Sequence, residues 1–101
     1  MYNKIMQVRR NKKLNEEKKK ILLKAVGDII HEKRMERGIG LLLHSYEYDL
    51  SSNSLDFVEK GIRDPQLTTI WKIVESFDMS FPEFVEILTK RLPKNFKMSD
   101  D

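Results

Sequence analysis

The stretch GIGLLLHSYEYDLSSNSLDFVEKGIRDP, residues 38–65, decides how the chain folds. Gly38-Ile39-Gly40 punctuates the chain ahead of a short apolar segment that runs from Leu41 to about Tyr48. A helix that short does not persist unless it packs on its neighbours. Ser51 or Ser52 then caps a further helix, which carries Leu55 and Val58 three apart on one face. It stops at Gly61, where glycine takes a left-handed conformation at little cost. Ile62-Arg63-Asp64-Pro65 reads as a turn, and the proline marks a fresh start.

Outward from this stretch, both flanks read as helix. Upstream, Asn15 caps a helix with Glu16 and Glu17 in its first turn, where the helix dipole favours acids. Ile21, Leu22, Ala25, Val26, Ile29 and Ile30, continuing to Met35, form one apolar face that ends at Gly38. Downstream, Leu67, Ile70, Trp71, Val74 and Phe77 give another amphipathic helix, with Trp71 read as core. Ser80 and Glu83 form a capping box, flanked by Met79 and Phe84 at the positions of a hydrophobic staple. Phe81, Phe84, Val85, Leu88 and Leu92 supply the stripe of this last helix, and Pro93 ends it. No stretch alternates like a strand, so the expected fold is all-α, five helices joined by tight loops. The expected organisation is a basic flexible arm over 1–14, a helical domain over 15–92, and a polar, disordered tail over 93–101.

The 101 residues contain no cysteine, which excludes disulfides, thiol catalysis and cysteine metal sites. No apolar run approaches the roughly 20 residues of a membrane span, and the lysine-rich start does not resemble a signal peptide. A soluble, cytoplasmic protein is expected. The net charge of +3 conceals an asymmetry. Residues 1–24 carry nine basic and two acidic side chains, for +7, and the remainder is −4. Arg9, Arg10, Lys12 and Lys13 concentrate that excess in the arm, where cations neutralise phosphates without reading sequence.

Residues 26–77 resemble the lambda-repressor-like helix-turn-helix domain, also called the xenobiotic-response-element type. The family's first helix ends in an arginine followed by a glycine turn, here Arg34 and Gly38. Its third helix ends in a glutamate ahead of a glycine and a proline, here Glu59, Gly61 and Pro65. Gly40 to Glu59 keeps the family's interval without a gap, Leu50, Leu55 and Val58 fall on buried positions, and Ser45 takes the small-residue position between helices two and three. The resemblance implies that Arg34 and Glu59 pair across helices one and three. It also makes residues 51–57 the start and exposed face of a recognition helix in double-stranded DNA. Ser51, Ser52, Asn53 and Phe57 are then the candidate base or phosphate contacts, with Lys60 and Arg63 facing the backbone. It further implies a transcriptional regulator such as a repressor, acting as a homodimer, without cofactor, metal or enzymatic activity.

The sequence departs from the family at Gly40 and Leu41, which replace a serine and a glutamine, at His44 for a leucine, and at Asp49 for a glycine. Between Gly38 and Glu59 there is no Lys or Arg, against four acids: Glu47, Asp49, Asp56 and Glu59. Leu41, Leu42, Leu43, Tyr46 and Phe57 suit a protein surface instead. The alternative reading is therefore a protein-interaction module, or an antitoxin with a degenerate helix-turn-helix. His31 and His44 lack metal-ligand spacing and read as boundary or surface residues. His44, Ser45 and Asp49 match a catalytic triad by composition only.

Overall fold

The computed structural model describes residues 15–99. Asn15 opens the first helix with its side-chain oxygen, which accepts from the Lys18 backbone N–H at 3.1 Å. Helix α1 runs Glu16–Arg37 and closes at Gly38, whose left-handed backbone lets its N–H reach the Met35 carbonyl. There follow α2, Leu41–Glu47; α3, Ser52–Glu59; α4, Leu67–Glu75; and α5, Phe81–Arg91. Among the described residues there are five helices and no strand, and α2, turn and α3 form a helix-turn-helix. Ser51 is the N-cap of α3, accepting from the Ser54 N–H. The capping box of α5 closes in both directions between Ser80 and Glu83.

The core gathers Val26, Ile29 and Ile30 of α1, Leu55 and Val58 of α3, and Ile70, Ile73 and Val74 of α4. Phe77, Met79 and Phe84 close it from the α4–α5 side. Helix α3 lies against α1 at unusually short range, and Gly27 is the reason. A Cβ at Gly27 would stand 2.5 Å from the carbonyl oxygens of both Val58 and Glu59, so any larger residue pushes the helices apart. Gly61, at φ 71°, turns the chain sharply off the end of α3 where the α1 backbone passes close by. In the turn between α2 and α3, Asp49 adopts φ 54°, a left-handed conformation that aspartate tolerates better than most residues.

Three expectations need correction. The buried face of α4 is Ile70, Ile73 and Val74, while Leu67 is exposed and Trp71, read as core, is 42% exposed. Trp71 instead stacks on Phe81, with ring centroids 4.2 Å apart, and its indole N–H donates to Glu75. His44, read as a boundary or surface residue, is fully buried. The stretch 93–99, read as part of a disordered tail, returns to the start of α1: the Asn15 N–H donates to the Met98 carbonyl and the Lys18 ammonium to that of Ser99. Arg91 adds a two-pronged bond to Glu32, tying α5 back to α1.

Candidate nucleic-acid interface

Helix α3 has an inner face that fixes it and an outer face that it presents. On the inner face Leu55 and Val58 are buried, and Glu59 ends the helix as an acceptor for α1. Arg34 donates through Nε to Glu59 Oε2 at 2.7 Å and through Nη2 to Oε1 at 2.9 Å. Its remaining arm, Nη1, donates to the Ile39 carbonyl at 3.0 Å, so one guanidinium joins α1, the loop before α2, and α3. Both side chains are more than nine-tenths buried. The Glu59 carboxylate holds the Arg34 guanidinium above its ordinary range, outweighing the opposing effect of burial. His31 Nδ1 also lies 2.8 Å from Glu59 Oε1.

The outer face carries Asn53, which is exposed, with Ser52, Asp56 and Phe57 partly exposed. Asp56 does not stand as a bare charge there, because Lys60 reaches it at 2.9 Å. Arg63, past the Gly61 turn, lies over the Phe57 ring at 4.8 Å from the centroid and donates from Nη1 to Ser54 Oγ at 3.3 Å. The structure thus brings Ser51, Ser52, Asn53, Phe57, Lys60 and Arg63 onto and around one helix. Beside the start of α3, Ser51 and Ser54 face Thr68, Thr69 and Lys72 of α4 across a groove of about 330 Å³. Lys72 spans it, donating to the Asp49 carbonyl at 2.8 Å. The arm residues Arg9, Arg10, Lys12 and Lys13 lie outside the described residues. No group of three or more His, Asp or Glu side chains among the described residues is arranged to hold a metal ion.

Charge in this region is better balanced than its composition implies. Glu59 is taken by Arg34, Asp56 by Lys60, and Asp49 lies 3.9 Å from Lys72. Lys60 and Lys72 come from just beyond α3 and from α4, so a count over residues 38–59 could not include them. Ser54 and Lys72 are neighbours of the candidate residues that sequence reasoning alone does not find. The i,i+4 spacing of Asp56 and Lys60 was the available signal for one pair, whereas nothing local announces Lys72 beside Asp49.

Helix α2 presents a different surface. Leu42 is 76% and Tyr46 84% exposed, and with Leu43 and Gly40 they bound a hollow lined by no charged side chain. The opposite side of α2 buries His44 and Ser45. The ring of His44 stacks on Phe77, with centroids 4.2 Å apart, and its Nε2 lies 2.9 Å from Ser76 Oγ. The Ser76 hydroxyl donates its single hydrogen to the Ile73 carbonyl, so it accepts from His44 Nε2–H. His44 therefore carries a proton on Nε2. Its Nδ1 is buried with no hydrogen-bond partner among the described residues. Burial, reinforced by the positive charge of Arg37, pushes its pKa below the ordinary histidine value.

No protein-family model matches the chain, and no curated protein matches it in sequence. Among solved structures it is similar to the restriction-modification controller protein C.Esp1396I. The tetramer of that protein, in complex with its natural 35 base-pair operator, superposes with a TM-score of 0.63 at 24% identity, covering 69% of this chain and 92% of that one. The wild-type controller gives 0.62 over the same shares. A mutant form gives 0.64 over 73% of this chain and 94% of that one, again at 24% identity. No helix among the described residues is long and apolar enough to cross a membrane. The likeness is one of fold: five helices with a helix-turn-helix at their centre.

Proposed function

We propose that the chain is a DNA-binding transcriptional regulator of the lambda-repressor-like helix-turn-helix type, acting in the cytoplasm as a homodimer. The observation that carries this reading is the partition of α3. Its inner face is locked to α1 by the Arg34–Glu59 pair, which leaves Asn53 and Phe57 outward on a rigid helix. A helix so mounted suits the major groove, where Ser51, Ser52, Asn53 and Phe57 meet base edges or phosphates. Lys60 and Arg63 supply positive charge at the edge of that face, and Arg9, Arg10, Lys12 and Lys13 add phosphate contacts from the arm. The similarity in fold to a controller crystallised on its operator supports the same reading. Exposed Leu67, Trp71 and Val85 of α4 and α5 offer apolar area for a two-fold partner.

Titration of the full chain against duplex DNA at several salt concentrations tests the proposal. The expected result is binding that weakens linearly in log–log form as salt rises. No binding at low salt rejects it. A second reading, a protein-interaction module or antitoxin, is favoured by the exposed Leu42, Leu43 and Tyr46 of α2. Leucine and tyrosine at that end of α2 give phosphates no cation. Under that reading DNA binding is absent, and a protein partner protects α2 from hydrogen exchange.

A further inference from the structure

Phe57 and Arg63 form a joined pair on the outer face of α3. Arg63 follows the left-handed Gly61, which turns the chain back so that the guanidinium lies over the ring. Ser54, one turn before Phe57, tethers it through Nη1. An unrestrained surface arginine samples many rotamers, and stacking plus a tether removes part of that freedom before any ligand arrives. Ser54 takes one of the five guanidinium N–H donors. Arg63 is exposed, and Phe57 is partly so.

The two groups have distinct and complementary preferences. A guanidinium fork matches guanine O6 and N7, and an aromatic ring matches the C5-methyl of a pyrimidine in the major groove. Because the two side chains touch, the base features they meet must also be neighbours, and bases along a strand are about 3.4 Å apart. We propose that Arg63 and Phe57 act as one reading unit for a dinucleotide step in which a C5-methylated pyrimidine and a guanine are adjacent. Thymine and 5-methylcytosine both carry that methyl group. The inference rests on the DNA-binding reading and deepens it, because Arg63 becomes a base reader and not a cation that any phosphate would satisfy.

The test starts by selecting bound duplexes from a random-sequence pool with the full chain, then measures affinity for the best duplex and its single-base variants. The expected selection contains an adjacent thymine and guanine in each half-site. Arg63→Lys keeps a positive charge but not the fork, so it lowers the preference for that guanine over adenine by about 5- to 150-fold. The same substitution leaves the salt dependence on mixed-sequence DNA unchanged. Replacing the thymine by deoxyuridine removes only the methyl group and weakens wild-type binding about fourfold. 5-Methylcytosine at that position restores the affinity and unmodified cytosine does not, while Phe57→Ala abolishes the distinction. The deoxyuridine arm alters no protein residue, so it stands even if Phe57→Ala fails to fold. A selected sequence without the step, or a guanine preference that survives Arg63→Lys, overturns the inference and leaves the DNA reading intact. Failure to bind any duplex at low salt instead removes the DNA reading itself.

Discussion

Glu59 serves two side chains with one carboxylate, Arg34 through both oxygens and His31 through Oε1. Removing one member of a buried pair strands the other as an uncompensated charge. Glu59→Ala is therefore expected to cost about 3–5 kcal/mol in denaturant unfolding. The combination Arg34→Met with Glu59→Leu should cost clearly less than the sum of the single losses, and strict additivity would show that the two act independently. His44 sets a second residue-scale expectation. Its folded pKa lies below the unfolded one, so below about pH 6.5 the unfolded chain binds a proton that the folded chain refuses. Stability then falls as pH drops from that value toward the folded pKa, and levels off below it. His44→Leu should flatten this part of the profile, and an unchanged profile would assign the dependence to another group.

At the scale of elements, what was legible in the sequence was local. Asn15 and Ser80 announce helix starts because a cap bonds to a backbone N–H three residues on, and Gly38 and Gly61 announce ends by the same short-range logic. The facing of α4 was not legible. Leu67, Ile70, Trp71 and Val74 make one acceptable stripe, and Ile70, Ile73, Val74 and Phe77 make another. The two share Ile70 and Val74, so periodicity cannot choose between them. Helix α5 chooses, by placing Phe81 flat against Trp71 near the surface. Burial of His44 was equally hidden, since its partner Ser76 is 32 positions away. Within the candidate site, Asn53 and Phe57 could be placed on the outer face from spacing, but the fold of Arg63 back over Phe57 depends on the turn at Gly61. Gly27 looks like a mere weak point in α1 until the carbonyls of α3 are seen beside it. Gly27→Ala is expected to lower stability by about 1–3 kcal/mol, although alanine is the better helix former. A gain in denaturation midpoint would show that α1 and α3 are not in close register. Ser80→Ala should cost about 1 kcal/mol through removal of the cap.

For the whole molecule, the charge of +3 is the residue of a +7 start and a −4 remainder. Under the proposed function these parts have separate duties, the arm for affinity and α3 for choice of sequence. Deleting residues 1–14 should reduce the slope of log K against log salt by roughly 0.9 for each phosphate the arm had neutralised. Discrimination between a selected duplex and a scrambled one should persist in the shortened chain. If discrimination vanishes and the slope does not change, the assignment of duties is wrong. Oligomeric state belongs to the same scale. Trp71→Ala and Val85→Glu should shift the proposed dimer toward monomer in sedimentation, with Trp71→Ala also losing the stack on Phe81.

The division of α3 has a consequence for how such a chain can change over time. Leu55, Val58 and Glu59 answer to the rest of the protein, while under the proposed function Asn53 and Phe57 on α3 and Arg63 beyond it answer mainly to the docked DNA. The outward set can drift, or be exchanged wholesale for that of another protein, without the inward set registering the change. Helix α3 is in this sense a replaceable cartridge: a new target can be acquired through a handful of substitutions that leave the melting temperature where it was.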